Sequence, residues 1–60
     1  MFCVYTEERE FHHDDPEAVF DWLNSQVGTE EAIEASSWCE LACVGEEYES
    51  DNFYITVEEG

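Results

Sequence analysis

Apolar and polar positions change their spacing along the chain, and the first stretch has the character of a β-strand. Residues from Phe2 to Thr6 are mostly β-branched or aromatic, which is typical of strands. The strand either ends near Thr6 or continues through Glu10 and Phe11 toward His12. Residues 13–16 then carry turn-forming types, so the pattern predicts one strand before the first helix.

The segment from Pro16 to about Gln26 has helical periodicity. Asp15 is suited to cap this helix, and Pro16 suits its first position, where no backbone N–H is needed. Gly28 is a natural stop after the last turn. Apolar residues fall on one stripe of the predicted helix: Val19, Phe20, Leu23 and Val27.

A second helix is predicted from Glu30, with Thr29 as its cap. One face carries small side chains suited to close packing: Ala32, Ala35, Ser36, Cys39 and Cys43. Beyond Trp38 the pattern is apolar on all sides. We therefore expect the helix to give way to extended structure somewhere between Cys39 and Val44.

The segment from Gly45 to Glu59 predicts a hairpin. Asp51 and Asn52 suit a two-residue type I′ turn, because both residue types tolerate positive φ. That register pairs Ser50 with Phe53 and Tyr48 with Ile55. The alternation directs one set toward the core and the other outward: Val44, Tyr48, Phe53, Ile55 and Val57 inward, and Glu47, Glu49, Tyr54, Thr56 and Glu58 outward.

The predicted order is therefore β-α-α-β-β, an α+β fold with two helices inserted after the first strand of an antiparallel sheet. Sixty residues suit a single domain, residues 1–60. Hydrophobic residues make up 43% of the chain and aromatic ones 15%. That content disfavours intrinsic disorder despite the charge.

The charge balance is the most unusual property. The chain has 17 acidic residues, one basic residue (Arg9) and a net charge of −16, whereas a small domain usually carries a net charge of magnitude about 2–8. Glu17/Asp21 and Glu30/Glu34 place like charges four residues apart, which destabilises a helix by about 0.2–0.5 kcal/mol per pair. A cost repeated at several sites indicates that the charge itself is the useful property.

A size estimate gives this charge a physical comparison. A compact chain of this length has a radius of gyration of about 10 Å, and hence a diameter of about 27 Å. Duplex DNA carries one negative charge per about 1.7 Å, so the same length of DNA holds about 16 charges. The protein is therefore expected to be charged per unit length much as DNA is.

In size, acidity and α+β pattern, the chain resembles the small acidic DNA-mimic proteins of phages and mobile elements. These include anti-restriction proteins, the uracil-glycosylase inhibitor and, most similar in character, the type I anti-CRISPR proteins. The resemblance covers the whole chain but includes no shared motif. It implies an inhibitor that blocks the basic DNA-binding groove of a protein target, with a CRISPR–Cas effector as the first candidate, and no direct binding of nucleic acid.

We assign partner binding to residues predicted to face outward. The carboxylates would pair with Arg and Lys side chains of the partner. Tyr54 would add an aromatic contact, because aromatic residues are enriched at interface hot spots. The assigned residues are Glu17, Asp21, Glu30, Glu34, Glu47, Glu49, Asp51, Glu58 and Tyr54. Trp22 and Trp38 lie at the flanks of their helical stripes, where they are either margins of the core or exposed anchors.

Other interpretations of the acidity are a general acidic partner-binding protein and a halophilic domain without mimicry. Glutamate outnumbers aspartate 13 to 4, and the aromatic content and three cysteines indicate an ordinary core, which we take as arguments against halophilic adaptation. Cys39, Cys43, His12 and His13 could together supply a zinc ligand set, but a single Cys-x₃-Cys pair is a weak pattern. We expect no metal, no cofactor and no enzymatic activity, since no nucleophile, phosphate-loop or dinucleotide motif occurs.

The odd number of cysteines and the absence of a recognisable signal peptide or membrane-spanning run favour the cytoplasm of a bacterial host. Reduced, buried thiols are the expected state of Cys3, Cys39 and Cys43. The small-residue face of the second helix is compatible with a monomer or a homodimer.

Overall fold

Two helices cover one face of a four-stranded antiparallel sheet in the computed structural model, which describes residues 1–59. The sheet has the order β2-β1-β4-β3, so the first and last strands of the chain lie side by side at its centre. The elements, in chain order, are β1 (Phe2–Thr6), β2 (Glu10–His13), α1 (Pro16–Gln26), α2 (Thr29–Leu41), β3 (Glu47–Glu49) and β4 (Phe53–Val57). The α+β class is confirmed.

The helices are inserted after the second strand, not after the first as the sequence predicted. Between β1 and β2 the chain reverses at Glu7 and Glu8, and Tyr5 pairs with Glu10 across the hairpin. Thr6 holds this turn: its N–H donates to the carbonyl of Arg9 (2.8 Å), and its hydroxyl accepts from the Arg9 N–H (3.1 Å). A threonine hydroxyl thus stabilises a turn that contains no Gly, Pro or Asn.

The bounds of α1 match the prediction. The Asp15 carboxylate accepts a hydrogen bond from the Glu17 N–H at 2.9 Å, and Pro16 occupies the first turn. The helix ends at Gln26, and Gly28 follows with a φ of 116°, a conformation that favours glycine.

The start of α2 differs by one residue from the prediction. Thr29 is its first residue rather than its cap; Gly28 stands at the cap position, and the Thr29 hydroxyl donates instead to the Asn24 side-chain oxygen at 2.6 Å. The helix ends at Leu41, within the predicted interval. Cys43 therefore lies beyond the helix and is exposed, which corrects its assignment to the small-residue face.

The β3–β4 hairpin has the predicted register, with Tyr48 opposite Ile55. Its turn is not type I′, because no residue other than glycine has positive φ within residues 1–59. The Asn52 side chain instead donates to the Glu31 carboxylate of α2 at 3.2 Å, which ties the turn to the helix layer.

Val44 was expected in the core but is 59% exposed. The Glu46 N–H donates to the Cys43 carbonyl at 3.0 Å, and Gly45 between them has a φ of 95°. Positive φ at the third residue is the requirement of a type II turn. This turn places Val44 outside the sheet, since β3 begins only at Glu47.

The core lies between the sheet and the helices. Val19 and Leu23 of α1 and Ala32, Ala35 and Cys39 of α2 contact the inward side chains of β1 and β4: Phe2, Val4, Phe53, Ile55 and Val57. Small residues on α2 allow the helix to approach closely. Trp22 and Trp38 are half-buried at the core margin, where Trp22 stacks on Phe11 with ring centroids 5.1 Å apart.

We expect Leu23→Ala to destabilise the fold severely and Leu41→Ala to leave it nearly unchanged. Leu23 is 0% exposed, whereas Leu41 is 86% exposed. Truncating a buried leucine costs about 2–5 kcal/mol, which approaches the whole stability of a chain this small. Urea unfolding followed by circular dichroism measures both. Similar losses for the two variants would contradict the assignment of the core.

Candidate acidic interface

The face of the sheet opposite the helices has no secondary-structure element packed against it, and we call it the open face. Strand register assigns its members: Cys3 pairs with His12 and Thr56, and Tyr5 pairs with Glu10 and Tyr54. On the other side of β4, Glu47 and Glu49 of β3 pair with Thr56 and Tyr54. The open face therefore comprises Cys3, Tyr5, Glu10, His12, Glu47, Glu49, Tyr54 and Thr56, with Glu58 directly after β4.

Two tyrosines form the centre of the open face. The rings of Tyr5 and Tyr54 lie 6.2 Å apart, centroid to centroid. The Tyr54 hydroxyl donates a hydrogen bond to the Glu47 carboxylate. This hydrogen bond, with burial and the negative charges of Glu47 and Glu49 in support, raises the pKa of Tyr54 to about 12. The tyrosine thus stays protonated and fixes one carboxylate at the edge of the aromatic centre.

Both outer strands of the open face carry carboxylates, two on β3 and one on β2. Glu47 and Glu49 are exposed on β3, and Glu10 is exposed on β2, where its carboxylate lies 2.7 Å from Nε2 of His12. β2 and β3 are three strand spacings apart in the sheet, which corresponds to about 14 Å. The acidic groups therefore form two margins, with the tyrosines between them.

Glu58 adds a carboxylate near the end of the central strands. Its Oε2 accepts a hydrogen bond from the Cys3 thiol at 2.9 Å. Burial first, and then the hydrogen bond and charge of Glu58, raise the pKa of the Cys3 thiol. The thiol is therefore a neutral donor that positions Glu58 rather than a nucleophile.

The remaining predicted carboxylates lie elsewhere. Glu17 and Asp21 on α1 and Glu30 and Glu34 on α2 are exposed on the helix layer, which covers the other face of the sheet. Asp51 is exposed at the tip of the β3–β4 hairpin. The structure therefore does not join the predicted residues into one site: Glu47, Glu49, Tyr54 and Glu58 belong to the open face, and the other five do not.

Internal cations compensate very little of this charge. Within residues 1–59 the ion pairs are that of the Met1 ammonium with Asp14 (3.5 Å) and the contact of His12 with Glu10. The Arg9 guanidinium joins neither of them and is exposed. No charged or polar residue of the described chain is buried. Most carboxylates of the described chain therefore have no internal cation as a partner.

The dimensions agree with the size expected from chain length. The radius of gyration of the Cα atoms is 9.9 Å, and the principal extents are 26 × 21 × 17 Å. Along the 26 Å axis, a net charge of −16 amounts to one charge per about 1.6 Å, against about 1.7 Å in duplex DNA.

Sequence reasoning missed four members of the open face: Cys3, Tyr5, Glu10 and His12. Glu10 and His12 belong to β2, which was not predicted as a separate strand, whereas Cys3 and Tyr5 belong to β1, for which the sequence assigned no inward face. The signal was present in the alternation of Glu10 and His12 with Phe11, which is half-buried against the core.

Within the described residues, no group of three or more His, Cys, Asp or Glu side chains is arranged to hold a metal ion. The suggested ligands Cys39 and Cys43 differ in environment, since Cys39 is buried and Cys43 is exposed. In the same part of the chain, neither helix is long and apolar enough to cross a membrane.

No match to the chain was found among protein-family models, curated proteins or solved structures.

The three thiols are expected to differ in reactivity. Cys43 is exposed, whereas Cys3 and Cys39 are each 2% exposed, and burial raises the pKa of the Cys39 thiol to about 11. A thiol-reactive chromophore at pH 8 should therefore label one cysteine rapidly in the native protein and all three in denaturant. Cys43→Ser should remove the rapid phase; rapid labelling that persists in this variant would contradict the burial of the other two.

The titration of Tyr54 should depend on Glu47. Ultraviolet absorbance of tyrosinate should show one residue titrating near pH 12, and Glu47→Gln should bring its pKa down toward the usual value of about 10. Because the folded-state pKa is raised, the stabilisation is fully present below about pH 10 and is lost as the pH rises to about 12. Glu17→Gln, on α1, is the control and should leave the Tyr54 titration unchanged.

Proposed function

We propose that this protein is a DNA-mimic inhibitor that occupies the DNA-binding groove of a nucleic-acid-binding protein in the host cytoplasm. An effector of a CRISPR–Cas system is the target we put first, and other DNA-binding enzymes of host defence are the alternatives. The protein acts by occupying the groove and carries out no chemical step, so it needs no cofactor.

The observation that carries this proposal is the linear charge density of an almost uncompensated surface. A net charge of −16 extends over 26 Å, and the exposed carboxylates have few internal cations to pair with. A groove that binds DNA presents Lys and Arg at the spacing of phosphates. Carboxylates form charge-assisted, often bidentate hydrogen bonds with the same arginines.

We assign the contact to the open face, because its geometry resembles a groove of DNA. Its acidic margins on β2 and β3 are about 14 Å apart, close to the roughly 12 Å width of the major groove of B-DNA. The tyrosine pair between them supplies the kind of aromatic surface that is enriched at protein interfaces. Glu17, Asp21, Glu30 and Glu34 then contribute by steering the approach of a basic partner, which raises the association rate.

The test starts from the partner that a tagged form of the protein captures from host lysate, identified by mass spectrometry. Titrating the protein into that partner bound to fluorescently labelled duplex DNA should release the DNA in proportion to occupancy. A partner that still binds DNA when saturated with the protein would exclude mimicry and favour general acidic binding.

Two variants with the same change of net charge then locate the contact. Glu47→Gln/Glu49→Gln alters the open face, and Glu30→Gln/Glu34→Gln alters the helix layer. The first variant should bind the partner at least about tenfold more weakly, because it loses charge-assisted hydrogen bonds. The affinity of the second variant should fall by less than about threefold, mostly through a slower association rate. Equal losses would show that net charge alone determines binding. Melting at low salt is a further check, since a halophilic domain would unfold there and this one should not.

A further inference from the structure

Exposed apolar side chains concentrate at one end of this acidic molecule. Leu41 is 86% exposed, Val44 59% and Met1 38%. The end of β4 brings Met1 and the segment after α2 to the same end: the Glu58 N–H donates to the Met1 carbonyl at 2.8 Å, and the Gly45 N–H donates to the Val57 carbonyl at 2.9 Å. Leu41 is the last residue of α2, three residues before Val44. The opposite end, at the β1–β2 turn and the hairpin tip, carries polar side chains: Glu7, Glu8, Arg9, Asp51 and Asn52.

Residues Leu41 to Val44, which we call the corner, are held by hydrogen bonds on both sides. The Cys43 N–H donates to the Glu46 carboxylate at 2.7 Å, and the Glu46 N–H donates back to the Cys43 carbonyl at 3.0 Å. The Val57 N–H donates to the Glu46 carbonyl at 3.1 Å. These hydrogen bonds hold the backbone around Cys43 in place, so little backbone entropy is lost there when a partner binds the corner.

The corner adjoins the open face through Gly45 and Glu46, which directly follow Val44 in the chain. An open depression of about 510 Å³ extends from the tyrosines to the turn, lined by Tyr5, Tyr54, Glu47, Glu58, Gly45 and Glu46, among others. A partner seated on the open face therefore contacts Gly45 and Glu46, the residues next to Val44 in the chain.

Charge around the corner restricts what can cover it. The last turn of α2 contains no basic residue, so its free carbonyl groups add partial negative charge to that of the exposed Glu40 and Glu46. A second copy of this chain would bring the same charges into contact, and an anionic membrane surface would be repelled. A protein surface with cations beside an apolar recess is complementary to both features.

We propose that Leu41 and Val44 enter an apolar recess next to the Arg and Lys side chains of the target's DNA-binding groove. This inference rests on the proposed function and adds a contact that DNA itself cannot make. Carboxylates of the open face set the approach and orientation, whereas the apolar contact at the corner lowers the dissociation rate. Specificity for one target among many basic grooves then comes from the recess.

Photo-cross-linking tests where the partner lies. A photoreactive p-benzoylphenylalanine is placed at position 41 and, as the matched control, at position 33. Ile33 is also an apolar residue of α2 and is 51% exposed, but it lies away from the corner. Irradiation in host lysate should join the position-41 variant, and not the position-33 variant, to the DNA-binding target.

The outcomes separate the two proposals. Equal cross-linking from positions 41 and 33, or none from position 41, would overturn the role of the corner. DNA mimicry would still be decided by the DNA-release titration described above. Selective cross-linking from position 41 to a protein that does not bind DNA would overturn DNA mimicry and, with it, the groove-side recess proposed here.

Affinity measurements supply the second readout. Leu41→Ser/Val44→Ser should weaken binding to the target by about 30-fold, as expected for a hot-spot contact. The dependence of the affinity on salt concentration should stay the same, because no ion pair is removed. Ile33→Ser should bind as the unmodified protein does. Circular dichroism confirms that the variants are folded, and Leu41→Ala alone repeats the test with a smaller change. Unchanged affinity in both corner variants would contradict the proposal.

Discussion

Mutual repulsion among 17 carboxylates on a body 26 Å long is the constraint that the rest of the structure accommodates. Repulsion of this kind destabilises the compact state, and salt screens it where the charges are exposed. The fold keeps every carboxylate of residues 1–59 out of its interior. A small core, closely packed because α2 contributes alanines and a cysteine, must therefore supply nearly all of the stabilisation.

The separation between core and surface follows from alternation along each strand. On β4, Phe53, Ile55 and Val57 are buried while the residues between them belong to the open face. Because neighbouring strands keep the same phase, the acidic positions of β2 and β3 face the same side as the tyrosines of β1 and β4. The carboxylates can thus be numerous without interrupting the apolar layer beneath them.

Elements with local signals were predictable from the sequence, and those that depend on tertiary contacts were not. Asp15, Pro16 and Gly28 determine the limits of α1 by capping and backbone geometry, so its bounds were predicted correctly. The β1–β2 turn was missed because Glu7 and Glu8 are not turn-forming types and the stabilising group is the Thr6 hydroxyl. The two-residue period of a strand was enough to predict which side chains of β4 face outward. The position of Glu10 beside Tyr5 depends on the pairing of β1 with β2, and β2 was not predicted as a separate strand.

The central position of β4 determines when the protein can fold during synthesis. Of the described strands β4 is translated last, yet it lies between β1 and β3 and pairs with both. Phe2 pairs with Val57, so this contact spans nearly the entire chain and is slow to form compared with local turns. Before β4 is synthesised, β1 can pair only with β2, and a sheet of two strands is marginally stable in water. The protein therefore acquires its complete sheet only after β4 has been synthesised, and until then the acidic strand β3 has no partner in the sheet.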